Sequence, residues 1–157
     1  MKILIIYIFS TFNILQLASS VFINQSILIE KYGFGIDSIE IDLRENSIDS
    51  IEINTFKGYD RLEKLFLEDN KLRQVEYGLL NHLSNLKELW LESNNIVSVD
   101  RNILDGLDKL EKVCFNNNPI SLMYPNKIKP LCDTNPNCYI KINEKCIKDN
   151  LSNKFLY

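Results

Sequence analysis

The chain has 157 residues, 45% of them hydrophobic and 25% charged, which is an ordinary globular composition with room for one folded domain. Its formal charge of −3 argues against a nucleic-acid or anionic-membrane partner, because both demand a basic surface.

Residues 1–20 read as a leader. Lys2 supplies the basic start, and Ile3 to Leu17 form an apolar run broken only by Ser10, Thr11, Asn13 and Gln16. Ala18, Ser19 and Ser20 are the small residues that signal peptidase requires, so the cut is expected before Val21. The apolar core is shorter than the ~20 residues of a spanning helix and ends without a basic stop. Loss of Lys2 leaves 17 basic against 21 acidic side chains, a net charge of −4. No second apolar stretch follows, so the product is expected to be secreted, with no membrane span after cleavage. Two sequons, at Asn24 and Asn150, suit a secreted chain and are candidate glycosylation sites.

Residues 21–37 contain no cysteine and are expected to cap the N-terminal end by apolar contact. Val21, Phe22, Ile23, Ile27, Leu28, Ile29, Tyr32 and Phe34 provide the material.

Residues 38–123 repeat with a period of 24. Leu62, Leu65, Leu67, Asn70, Leu72 and Val75 are followed one period later by Leu86, Leu89, Leu91, Asn94, Ile96 and Val99. A further period gives Leu110, Val113, Phe115, Asn118, Ile120 and Met123. Going back, Ile41, Leu43, Asn46, Ile48 and Ile51 keep the same spacing, with Ser38 in place of the first leucine. Phe56, Leu80 and Leu104, then Tyr59, Leu83 and Leu107, stay in step as well. In each L-x-x-L-x-L stretch the last two leucines point one way and the residue between them the other, which is strand alternation. Each repeat therefore supplies one short strand, and the strands stack as a parallel sheet over one continuous core. The asparagine column Asn46, Asn70, Asn94 and Asn118 sits where the chain leaves the sheet. An amide there both donates to and accepts from backbone groups that would otherwise be buried unpaired.

This pattern resembles the extracellular leucine-rich-repeat family over residues 38–123. The resemblance implies an α/β fold: a short solenoid with a parallel β-sheet on its concave face, an irregular or short helical convex side, and a disulfide-closed C-terminal cap. It also implies a recognition module that binds an extracellular protein or glycan, of the adhesion or innate-defence kind, with no cofactor and no catalysis. The alternative is a structural subunit that associates with other chains, including copies of itself, through the poorly capped N-terminal edge.

Residues 124–157 form the expected cap and tail. Cys114, Cys132, Cys138 and Cys146 all lie in the last 44 residues, which in an oxidising compartment reads as two disulfides. Zinc is disfavoured by the lack of a close C-x-x-C pair and by the distance to His82, the single histidine. Four cysteines allow three pairings. Cys138 follows Cys114 by one repeat length, which on a regular extra strand would place the two side by side and leave Cys132 with Cys146. The competing arrangement joins Cys132 to Cys138 and Cys114 to Cys146.

No glycine-rich phosphate loop, G-x-S-x-G or ligand-spaced histidine pair is present, which argues against an enzyme. The outward column of the sheet reads Asp42, Phe66, Trp90, Cys114, flanked by Glu40, Lys64, Glu88 and Lys112. Phe66 and Trp90 are thus expected side by side and exposed, edged by Asp42, Glu45, Glu68, Asp69 and Glu92. Such a pair is a candidate partner-binding centre facing a basic patch.

Overall fold

A computed structural model describes residues 20–100, 102–123 and 139–141. In chain order the elements are β1 (Val21–Ile23), α1 (Gln25–Glu30), β2 (Glu40–Asp42), β3 (Ile48–Ile51), β4 (Lys64–Phe66), β5 (Gln74–Val75), β6 (Glu88–Trp90), β7 (Ser98–Val99), β8 (Lys112–Cys114), α2 (Pro119–Met123) and β9 (Tyr139–Lys141). The concave sheet is parallel throughout, in the order β2-β4-β6-β8-β9. Its register aligns Ile41, Leu65, Leu89 and Val113 on the core side and Asp42, Phe66, Trp90 and Cys114 on the other, as the alternation requires.

The repeat columns become the core. Leu62, Leu65, Leu67, Leu86, Leu89, Leu91, Leu110, Val113 and Phe115 are all buried, with Phe56, Tyr59, Leu80, Leu83, Leu104 and Leu107 packed from the convex side. Past each core strand the backbone ladder continues: Leu43, Leu67 and Leu91 donate to the carbonyls of Phe66, Trp90 and Cys114. The residue before each ladder asparagine then turns left-handed, with φ of 57° at Glu45 and 55° at Asp69, Ser93 and Asn117. These residues end the strand and aim the asparagine inward.

The convex side is irregular, as expected. It carries turns and short strands, with β1-β3 and β5-β7 paired as two small parallel sheets. The turns that fold each repeat back leave too few residues for a helical turn to propagate, and strand pairing between neighbouring repeats satisfies the backbone instead.

The N-terminal segment caps this convex side. β1 adds a strand beside β3, and α1 starts at Asn24, whose Oδ1 accepts from Ile27 N–H at 3.0 Å. Gly33, at φ 74°, turns the chain so that the Gly33 and Phe34 amides return to the carbonyls of Ile29 and Leu28. Ile23 and Leu28 are fully buried, with Val21, Ile27, Tyr32 and Phe34 packed on the same core. Phe22 and Ile29, also expected to contribute, instead face outward.

An extra strand does follow β8, but not in the expected register. Lys141, 27 residues after Cys114, stands opposite it, with Ile140 beside Val113 and Tyr139 beside Lys112. Cys138 therefore precedes the strand and does not occupy the place equivalent to Cys114. The chain between β8 and β9 is longer than one repeat, which removes the premise for pairing these two by period. Cys114 is buried and disulfide-bonded. Cys132, Cys138, Cys146 and Asn150 lie outside the described residues.

Candidate recognition surface

The asparagine column is a backbone-satisfying ladder. Asn70 Nδ2 donates to the carbonyls of Leu43, Leu67 and Glu68 at 2.9–3.1 Å, and its Oδ1 accepts from Asn46 and Ile48 N–H. Asn94 repeats this on Leu67, Leu91 and Glu92, and accepts from Leu72 N–H at 3.0 Å. Asn118 does so on Leu91, Phe115 and Asn116, and accepts from Ile96 N–H at 3.0 Å. Each amide thus stitches its own turn to the preceding one. Asn46, with no preceding turn, is half-buried and donates to Arg44 O at 2.7 Å.

The aromatic pair forms as expected but is not exposed. Phe66 and Trp90 lie with ring centroids 5.9 Å apart and planes inclined by 37°, yet they are only 3% and 2% exposed. With Cys114 they make a second small core on the outward side of the sheet. Cations of the chain itself stand at both ends of the pair. The Arg44 guanidinium lies 5.3 Å from the Phe66 ring centre, and Lys112 Nζ lies 4.1 Å from that of Trp90. Glu88 accepts the indole N–H at 3.0 Å and also pairs with Lys64 Nζ at 3.1 Å. The hydrogen bond to Glu88, then its charge, raises the pKa of Lys64 above the ordinary lysine value.

The five acids do not form a free ring around the aromatics. Asp42 pairs with Arg44, whose guanidinium is held above its ordinary pKa chiefly by that hydrogen bond. Glu68 is buried, and Glu92 is half-buried with Asn117 Nδ2 3.5 Å from its Oε1. Glu45 and Asp69 are exposed, both on left-handed turns. The aromatic pair is therefore covered, and the expectation of an open aromatic centre is corrected. Strand alternation reports which way a side chain points, but not what lies over it. Glu88 and Lys112 stood in the flanking column and Arg44 two residues after Asp42, but the sequence did not assign them their part as charges bracketing two rings.

Apolar exposure lies elsewhere. Phe22, Ile29, Ile36 and Ile39, in the N-terminal part of the chain, are 45–52% exposed, and Ile53, Tyr77 and Val97 are exposed singly further along. Among the described residues β2 is the end strand of the concave sheet, with β4 as its neighbour, so Glu40–Asp42 present a sheet edge there. Asp37, Glu40 and Glu45 at the same end are exposed acids. The buried Tyr59 ties this end to the first repeat through a 2.8 Å bond from its hydroxyl to Phe34 O, and burial raises its pKa. Among the described residues no cluster of metal-ligating side chains occurs, and no helix is long and apolar enough to cross a membrane.

A parallel sheet stitched turn to turn by asparagine amides defines a repeat solenoid, a class that generally serves recognition rather than catalysis. The leucine-rich-repeat pattern matches residues 40–96 and 60–120, and the chain belongs to the leucine-rich-repeat family. No curated protein matches the sequence. Among solved structures, a chain of the Drosophila melanogaster SNF/U2A′ complex is similar at 20% identity and a TM-score of 0.53, over 82% of this chain and 87% of that one. At that identity the likeness concerns the fold alone.

Proposed function

We propose that this chain is a secreted recognition module of the adhesion or innate-defence kind, which binds an extracellular protein through the N-terminal end of its solenoid. The observation that carries the reading is the run of half-exposed Phe22, Ile29, Ile36 and Ile39 in the segment that leads into β2, the end strand of the concave sheet among the described residues. Apolar patches next to an unpaired strand are where protein partners dock, by side-chain burial and by strand addition. Aliphatic groups favour a protein over a glycan, since a sugar offers few apolar faces to cover them. The exposed acids Asp37, Glu40 and Glu45 suit a partner with a basic contact patch, so association should slow as salt rises. The leader-like residues 1–20 and the disulfide at Cys114 both favour export, where disulfides persist.

The second reading is an assembly subunit that uses the same edge to meet another copy, favoured by the open strand. The test immobilises the mature chain and an Ile36→Asp/Ile39→Asp variant, passes native extracellular fluid over each, and measures the mass of each protein alone in solution. A protein retained by the parent and lost by the variant, with the parent monomeric, is expected. A dimeric parent made monomeric by the variant establishes the assembly reading, and identical retention by both chains removes the N-terminal surface from consideration.

A further inference from the structure

The first described element starts where the leader is expected to end. Ser20 is exposed and belongs to no element, whereas Val21 is already the first residue of β1. Val21 pairs with Ile48 and Ile23 with Ile51. The Ile23 carbonyl accepts from Glu52 N–H at 2.8 Å and from the Thr55 hydroxyl at 3.2 Å, and Asn24 caps α1 at once. Each of these contacts is made by Val21 or by a residue after it. The nitrogen of Val21 itself donates to Asp49 Oδ2 at 2.7 Å, a side-chain carboxylate on β3 that reaches across to the neighbouring strand. That distance suits an amide on a carboxylate and an ammonium in the same place equally well. The other charged residues lining the same 480 Å³ cavity are Arg73 and Glu76.

We infer that Asp49 is the binding site for the chain's own new N-terminus. The inference rests on the secreted reading above. A signal peptidase adds water across the Ser20–Val21 bond: Ser20 leaves with the carboxylate, and the Val21 nitrogen takes up a proton to become an ammonium. The neutral amide bond to Asp49 is thereby replaced by an ion pair in the same place. The uncut bond already has a charged acceptor; the ammonium adds a Coulomb attraction between opposite charges, so the cut fastens β1 to β3 more firmly than the uncut chain does. Processing then completes the N-terminal cap, in a chain whose residues 21–37 hold no cysteine to do so.

The experiment secretes the full chain from eukaryotic cells, with and without Ala-Ala inserted between Ser20 and Val21, and reads each N-terminus by mass spectrometry. Asp49→Asn, which keeps an acceptor in place, is made in both backgrounds, and each protein is unfolded by denaturant. The expected result is a native N-terminus at Val21. Asp49→Asn should then raise the unfolding equilibrium constant about tenfold more in that chain than in the extended one. An equal factor in both backgrounds overturns the inference, because Asp49 would not then distinguish an ammonium from an amide. A secreted chain that begins at another residue overturns it and leaves secretion intact, whereas a chain kept inside the cell with residues 1–20 attached overturns both.

Discussion

The interior of the solenoid and its N-terminal end use the same residue in different ways. Asn70, Asn94 and Asn118 each hand their amide to three carbonyls, one of them on the preceding turn. Asn46 occupies the equivalent position and donates to a carbonyl two residues away. The chemistry of the side chain is the same at all four places; what changes is whether a turn lies before it. The ladder is therefore a property of stacking, and it fades at the first turn. There a different set of contacts takes over: β1 against β3, the Tyr59 hydroxyl on Phe34, and the Asp49 carboxylate on Val21. The interior is closed on itself, and the end, among the described residues, retains apolar surface and the last strand of the concave sheet.

The largest expected effect lies in the interior. Trp90→Ala removes a buried indole packed on Phe66 and should destabilise the protein by about 3–5 kcal/mol, read from denaturant unfolding. A loss below ~1 kcal/mol would mean that the ring stands free for a partner after all, returning the binding centre to the concave face. Next comes the ladder. Asn94→Leu leaves the Leu72 amide unpaired and removes one of two donors from each of the Leu67, Leu91 and Glu92 carbonyls, which Asn70, Asn118 and Asp69 still serve. It should cost about 1–3 kcal/mol. Asn46→Leu should cost less than ~1 kcal/mol, and equal losses at the two positions would erase the distinction between interior and end. Tyr59→Phe deletes the hydroxyl that holds Phe34 and is expected to cost about 1 kcal/mol, seen as a lower denaturant midpoint. The smallest effect is a gain. Asp69→Gly places glycine at a left-handed turn, so relief of backbone strain offsets the lost chain restriction, and a rise of up to ~1 kcal/mol is expected. A fall in melting temperature would indicate that the Asp69 carboxylate holds its turn by a contact of its own.

Most of the interior is legible in the amino-acid sequence, because a 24-residue period repeats both a size pattern and a chemistry. Leucine at fixed spacing sets the core strands, and asparagine at one place in each repeat sets the ladder. What escaped did so for separate reasons. β5 and β7 have only two residues each, too short to carry a period, so the convex strands left no trace in the sequence. The step from β8 to β9 is longer than one repeat, so extending the period by habit set Cys138 beside Cys114, where Lys141 stands. Phe66 and Trp90 were placed correctly in register and wrongly in exposure. Cap residues were legible as a group but not singly: hydrophobicity nominated Phe22 and Leu28 alike, and only the path of β1 and α1 decides that Leu28 turns in and Phe22 out.

Hydrogen exchange on the folded, processed protein tests the contrast most directly, because it reads each turn in one experiment. The amides of Leu72 and Ile96, held by Asn94 and Asn118, should exchange only through global unfolding. The amides of Glu52, which ties the end of β3 to β1, and of Phe34, which ties the N-terminal segment to itself, should exchange through a smaller opening that leaves the interior closed. That order is what the account predicts: a cooperative ladder with a separately held end, free to meet a partner. Equal protection at all four amides would contradict it.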